Sequence, residues 1–280
     1  MLKRVITGVV AFLLFFPVLL FSGHPIGSYG FVIVLGILAT IAMHELTGCF
    51  RVRKNYVIMA MTYLFGIIIT ALTVFLRESD KYSAYLISTG FLFLFIVFAI
   101  AMFNIGKIKY TQVASFVATC FYVVCGFLSI IGLRYTEFGN NLFLLVFIGA
   151  WATDTGAYFV GVIFGKHKLI PSVSPKKTIE GALGGILGCV IGYLIFGICV
   201  EHFYGREANY IALACTAVFV AVISQIGDLI ASYIKREQGI KDYGVVLPGH
   251  GGIMDRFDSI IAVAPVIFGV VAIWGVKLIG

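Results

Sequence analysis

The chain has 280 residues, 61% of them hydrophobic and only 12% charged, with a formal net charge of +7. Soluble domains are about 45–50% apolar and about 25% charged, so an ordinary soluble domain is excluded and a polytopic membrane protein is expected. The positive balance is compatible with nucleic acid, an anionic membrane surface or an anionic substrate, and its distribution along the chain decides among them.

Nine apolar runs are long enough to cross a bilayer at roughly 20 residues per crossing. They cover residues 5–22, 29–46, 56–76, 84–103, 112–133, 142–164, 179–200, 210–233 and 259–278. The first follows Lys3 and Arg4 as a signal peptide would. It is long for one and lacks a small-x-small cleavage site, so it is expected to be retained. Six cysteines lie mostly within apolar runs, with no CxxC pair and no Cys/His ligand spacing; they read as small hydrophobes.

Nine crossings from a cytoplasmic N-terminus put Lys3, Arg4, Arg51, Arg53, Lys54, Lys107, Lys109, Lys166, Lys168, Lys176, Lys177, Lys235, Arg236, Lys241 and Arg256 inside, 15 of the 20 basic residues. Only Arg77, Lys81, Arg134, Arg206 and Lys277 fall outside. This asymmetry is the positive-inside pattern, with the C-terminus outside. Most of the positive charge is thereby topology, and no nucleic-acid partner is implied. The expected fold is all-α, a single transmembrane domain over 1–280. Helices one to five occupy 1–140, and a catalytic half at 141–280 carries cytoplasmic loops 165–178 and 235–258.

Polar residues inside the apolar runs come next. Asp154 stands near the middle of the sixth run, and Asp228 lies toward the inner end of the eighth. A carboxylate at a helix centre costs about 2.5–3.5 kcal/mol on insertion scales and is seldom left without a partner. Ser224, Asp228, Ser232 and Lys235 are spaced i, i+4, i+8, i+11 and share one helical face. Such a stripe is expected to line a wet cavity open to the inner side. Ahead of the seventh run, Ser174-Pro175 reads as an N-cap followed by proline at the first helical position. Lys176 and Lys177 are then expected in a first helical turn, where they oppose the dipole unless an anion binds.

The densest polar stretch is 232–258, with eight charged residues and His250 among 27 positions. Lys235, Arg236, Lys241 and Arg256 alternate with Glu237, Asp242, Asp255 and Asp258, and Gly244, Gly249, Gly251 and Gly252 break the run. Carboxylates able to hold a divalent ion, mixed with cations able to neutralise phosphate, are what a metal–polyphosphate site needs.

The segment Ser232-x-Ile234-Lys235-Arg236, then Lys241-Asp242-x-Gly244-x-x-Leu247-Pro248-x-His250-Gly251-Gly252-Ile253-x-Asp255-Arg256-Phe257-Asp258, resembles the signature of the phosphatidate cytidylyltransferase (CDP-diacylglycerol synthase) family. Asp154-Thr155-Gly156-Ala157-Tyr158 and Ser174-Pro175-Lys176-Lys177-Thr178-Ile179-Glu180-Gly181 fit the same family. The resemblance implies that CTP and phosphatidate give CDP-diacylglycerol and pyrophosphate with Mg2+, and that Asp228 and Asp255 are the metal ligands. A second, monovalent cation and a homodimer are further family expectations. Lys241 and Arg256 join the two aspartates as candidate catalytic residues. Lys176, Lys177, Lys235, Arg236, His250, Ser224, Ser232, Asp154 and Asp258 are the candidate substrate-binding residues. An ion-coupled transporter is the competing class, disfavoured by poor polar lining on the outer side and by the lack of repeat symmetry. A CDP-alcohol phosphotransferase would carry a D-G-x-x-A-R run, which is absent. Action on an ether-lipid relative of phosphatidate, or as a CTP-dependent lipid kinase, stays open.

Overall fold

The computed structural model describes residues 25–247, 249, 251–273 and 277–280. The first expected crossing, 5–22, lies outside the described residues. The helices, in order, are α1 (Pro25–Cys49), α2 (Tyr56–Leu76), α3 (Tyr82–Phe103), α4 (Tyr110–Arg134), the single turn α5 (Gly139–Leu142), α6 (Leu144–Phe164), α7 (Ile179–Tyr204), α8 (Tyr210–Glu237) and α9 (Met254–Phe268). Among the described residues seven helical segments are long and apolar enough to cross a membrane, with α5 and α6 counted together as Gly139–Phe164. The protein is mostly helical and built as a polytopic membrane protein. The last expected run is helical from Met254, earlier than its apolar residues suggest. It contains Pro265, which cannot donate to the helical ladder, and widens into a π-helical turn at Gly269–Ile273.

The helices stay helical in the absence of many charges because a bilayer leaves backbone groups no other partner. Their outward faces are apolar. On α3, Ile87, Phe91 and Phe95 recur every fourth residue and are 72%, 65% and 60% exposed. On a soluble protein that stripe would be an aggregation liability; on a spanning helix it faces lipid.

The chain divides into two compact units, one comprising the chain up to Phe127 with Gln238–Arg256, the other Leu128–Glu237 with Phe257–Gly280. In the first, α1 packs on α2 and α2 on α3. Gly36 faces the Thr70 side chain and Gly66 faces that of Thr40, so a methyl at either glycine would collide with its threonine. In the second, α6 packs along α7, and both touch α8. Gly156 and Gly188 bring backbone against backbone here, with a Cβ at Gly188 only 2.7 Å from Ala152 O. Close approach through small residues is a common way for membrane helices to associate. Tyr193, fully buried, reinforces the pair by donating from its hydroxyl to Leu145 O at 3.0 Å.

The segment 165–178 corrects the all-α expectation. It forms an antiparallel hairpin of β1 (Lys168–Ile170) and β2 (Ser174–Thr178). Ser174 is therefore not an N-cap, and Lys176 and Lys177 are strand residues rather than a first helical turn. The cap of α7 is Thr178, whose Oγ1 accepts the Gly181 N–H at 3.1 Å. Glu180 closes the hairpin's base, its carboxylate accepting the Lys166 N–H at 3.0 Å and standing 2.6 Å from His167 Nδ1. These bonds fix where the helix starts four residues beyond the Ser-Pro pair.

Candidate active site

In the second unit α6, the hairpin, α7 and α8 enclose a cavity of about 490 Å³. Its polar lining includes Asp154, Lys168, Lys176, Lys177, Thr178, Gln225 and Asp228. Each comes from a different local cause. Asp154 stands ten residues from either end of α6. The pairing of β2 with β1 carries Lys176 and Lys177 over the cavity, and the strand ends in the Thr178 cap. Gln225 is held by its own amide, which donates to Ala182 O and to Ala221 O, both at 3.2 Å. Asp228 follows one turn later on α8.

The chemistry centres on one pair. Lys177 Nζ lies 2.5 Å from Asp228 Oδ2, both side chains about a quarter exposed. Asp154 feels the charges of Asp228 and Lys177, and Asp258 feels those of Asp228, Lys235 and Asp154. Three carboxylates and two ammonium groups thus interact within this unit. Of the stripe read on α8, Asp228 lines the cavity, whereas Ser224 is fully buried and its Oγ has no hydrogen-bond partner among the described residues. Ser232 and Lys235 are half-buried in the last turns, and Arg236 is exposed at the helix end.

In the first unit the loop Gln238–Arg256 has its own scaffold. Asp255, the second residue of α9, is 8% exposed, and its Oδ2 accepts the Tyr243 N–H at 2.8 Å and the Gly252 N–H at 3.0 Å. The Leu247 N–H donates to Gly251 O at 2.9 Å, closing a tight turn in which Gly249 and Gly251 have φ of +81° and +84°. Side chains with a Cβ rarely adopt that conformation. Lys241 and Arg256 are exposed, while His250 lies outside the described residues.

Glu45, Thr178 and Gln225 were not among the residues singled out from sequence. Glu45 is 4% exposed and takes the Ile253 N–H at 3.0 Å and the Met254 N–H at 2.9 Å. An acid inside an apolar run was the available signal for it. For Thr178 the signal was an N-cap residue type directly before an apolar run. Gln225 had none beyond polarity in a greasy helix.

The site's donors are hard oxygens, the type that suits Mg2+. Among the described residues no group of three or more His, Cys, Asp or Glu is gathered closely enough to hold a metal ion.

Over nearly its whole length the chain is similar to known proteins. The profile of the cytidylyltransferase family matches residues 2–274. A Staphylococcus haemolyticus protein named phosphatidate cytidylyltransferase is 32% identical over 266 residues, covering 94% of this chain and 96% of that protein. Proteins of the same name from Staphylococcus saprophyticus and Bacillus subtilis are 34% and 30% identical, over 94% and 98% of this chain and 96% and 98% of their own lengths. The chain belongs to the cytidylyltransferase family.

Proposed function

We infer that this protein is a phosphatidate cytidylyltransferase of phospholipid biosynthesis, forming CDP-diacylglycerol and pyrophosphate from CTP and phosphatidate. The observation that carries the reading is similarity, over nearly the whole chain, to proteins of that name. The cavity of the second unit supports it, because carboxylates on helices of membrane-spanning length meet the lysines of the hairpin there.

The chemistry follows from charge. A phosphomonoester has its second pKa near ~6, so the phosphate of phosphatidate is largely ionised at pH 7 and needs no strong general base. An oxygen of that phosphate attacks the α-phosphorus of CTP, the bond to the β-phosphate bridging oxygen breaks, and pyrophosphate departs. The barrier is anion meeting polyanion, and the protein's work is positioning and neutralisation. Lys177 leaves Asp228 for a phosphate oxygen when substrate enters, and Lys176 beside it adds a second cation. Asp154 limits the cavity's depth on α6. Lys235, Arg236, Lys241, Arg256 and His250 neutralise the remaining phosphate charge, with Ser224, Ser232 and Asp258 as further polar groups of the substrate site.

Asp228 and Asp255 are assigned to Mg2+ from the sequence resemblance. When bound, the ion neutralises phosphate charge. The resemblance likewise supports a monovalent second cation and a homodimer. The distribution of basic residues supports nine crossings, an inside N-terminus and an active site facing the cytoplasm, and the bacterial relatives support a bacterial cytoplasmic membrane.

Purified protein given CTP, Mg2+ and either phosphatidate or its archaeal-type ether analogue tests substrate and ligand assignments together. CDP-diacylglycerol from phosphatidate, lost on chelation and in Asp228→Asn and Asp255→Asn, is expected. Near-normal turnover in either variant would overturn the metal assignment, and product from the ether lipid alone would overturn the substrate.

A further inference from the structure

Glu45 is a carboxylate at the end of an apolar helix, almost sealed from solvent, 208 positions from the backbone it binds. Removing a charge from water is costly unless hydrogen bonds replace the hydration. Both Glu45 oxygens are used: Oε1 accepts the Ile253 N–H and Oε2 the Met254 N–H. The first N–H groups of a helix have no partner within it and present a positive dipole end, and Met254 opens α9. Glu45 supplies what that helix start lacks.

Space has been cleared for this carboxylate from two sides. A Cβ on Gly244 or on Gly252 would collide with the Glu45 carboxyl group, while neither glycine has a φ that excludes other residues. Absence of a side chain at these two positions is thus explained by Glu45 rather than by backbone conformation. Asp255 grips the same peptide from the next position, through the Tyr243 and Gly252 N–H groups. The loop is pinned at 243 and 252 by Asp255 and at 253 and 254 by Glu45.

We propose that Glu45 is a positioning residue for the reaction, holding the loop 243–254 and the start of α9 so that Asp255 stands in one fixed orientation. The proposal rests on the cytidylyltransferase reading for its catalytic consequence only; the loop clamp itself is independent of it. A brace needed only for folding would lower stability and activity in step. A positioning residue lowers kcat while the KM values for CTP and phosphatidate hold. Glutamine keeps one acceptor oxygen and the size of the side chain, and should rescue part of the loss.

The test uses the full-length protein in detergent–lipid micelles. Glu45→Ala is expected to lower kcat by about 100-fold and Glu45→Gln by about 10-fold, each with KM values within about threefold of wild type. Trypsin cleavage after the exposed Lys241, mapped by mass, should accelerate at least about tenfold in Glu45→Ala as the loop loosens. In a double-mutant cycle, Gly252→Ala should cost much activity in the wild-type background and little more in Glu45→Ala, where the colliding carboxylate is gone. If Glu45→Ala does not fold, Glu45→Gln carries the same readouts. Unchanged cleavage at Lys241, additive losses in the cycle, or wild-type kcat in both variants would overturn the proposal. A wild-type protein that makes no CDP-diacylglycerol yet protects Lys241 through Glu45 would sink the activity reading alone.

Discussion

Lys177 and Asp228 illustrate how charge survives inside this protein. Asp228 sits on a spanning helix and Lys177 on the hairpin beside it, and at 2.5 Å each neutralises the other. Lys176, on the same strand, lines the cavity and makes no ion pair among the described residues. The two lysines should therefore separate in experiment. Lys177→Met is expected to raise KM for CTP or phosphatidate at least about tenfold, and Lys176→Met to raise it less. Equal effects, or unchanged KM for both substrates, would return Lys177 to a structural counter-ion. Asp228 was legible in the sequence because a carboxylate in an apolar run is costly and a polar stripe surrounded it. Its partner was not, because the loop's Ser-Pro pair suggested a helix start and misplaced Lys177. Glu45 carried the same signal, an acid inside an apolar run, but its role was not legible because its partners lie 208 and 209 positions away.

At the scale of elements, the apolar runs were readable because lipid forces a helix to satisfy its own backbone and to be long enough to cross. The expected start at 56 and the ends at 76, 103 and 164 coincide with those of α2, α3 and α6. The hairpin was not readable, since two strands of three and five residues carry little periodicity and Pro175 suits a helical first turn as well as an edge strand. What decides between them is Thr178, which caps α7 and also lines the cavity. Thr178→Ala should destabilise by about 1 kcal/mol, as loss of an N-cap does, and lower Tm in detergent by a few degrees. Activity should fall further than that small loss accounts for, because β2 carries both cavity lysines. Thr178→Ser should restore both. Full activity in Thr178→Ala would separate the cap from the site.

Taken whole, the chain is a set of greasy helices that keeps its polar chemistry in a few places. Orientation in the bilayer is inferred from basic residues and can be read directly. In a cysteine-free background, Ser79→Cys, between α2 and α3, should react with an impermeant maleimide only from outside, and Ser172→Cys, between the hairpin strands, only from the cytoplasm. Labelling of both from one side would break the odd number of crossings that separates them. The central claim is that a cytidylyl group is transferred to a lipid phosphate, and isotope position decides it. With phosphatidate and Mg2+, CTP labelled at the α-phosphate should send label into chloroform-soluble lipid, while CTP labelled at the γ-phosphate should leave all label in aqueous pyrophosphate. Lipid labelled from the γ-position would mean a CTP-dependent kinase, and no lipid label from either position would contradict the assignment altogether.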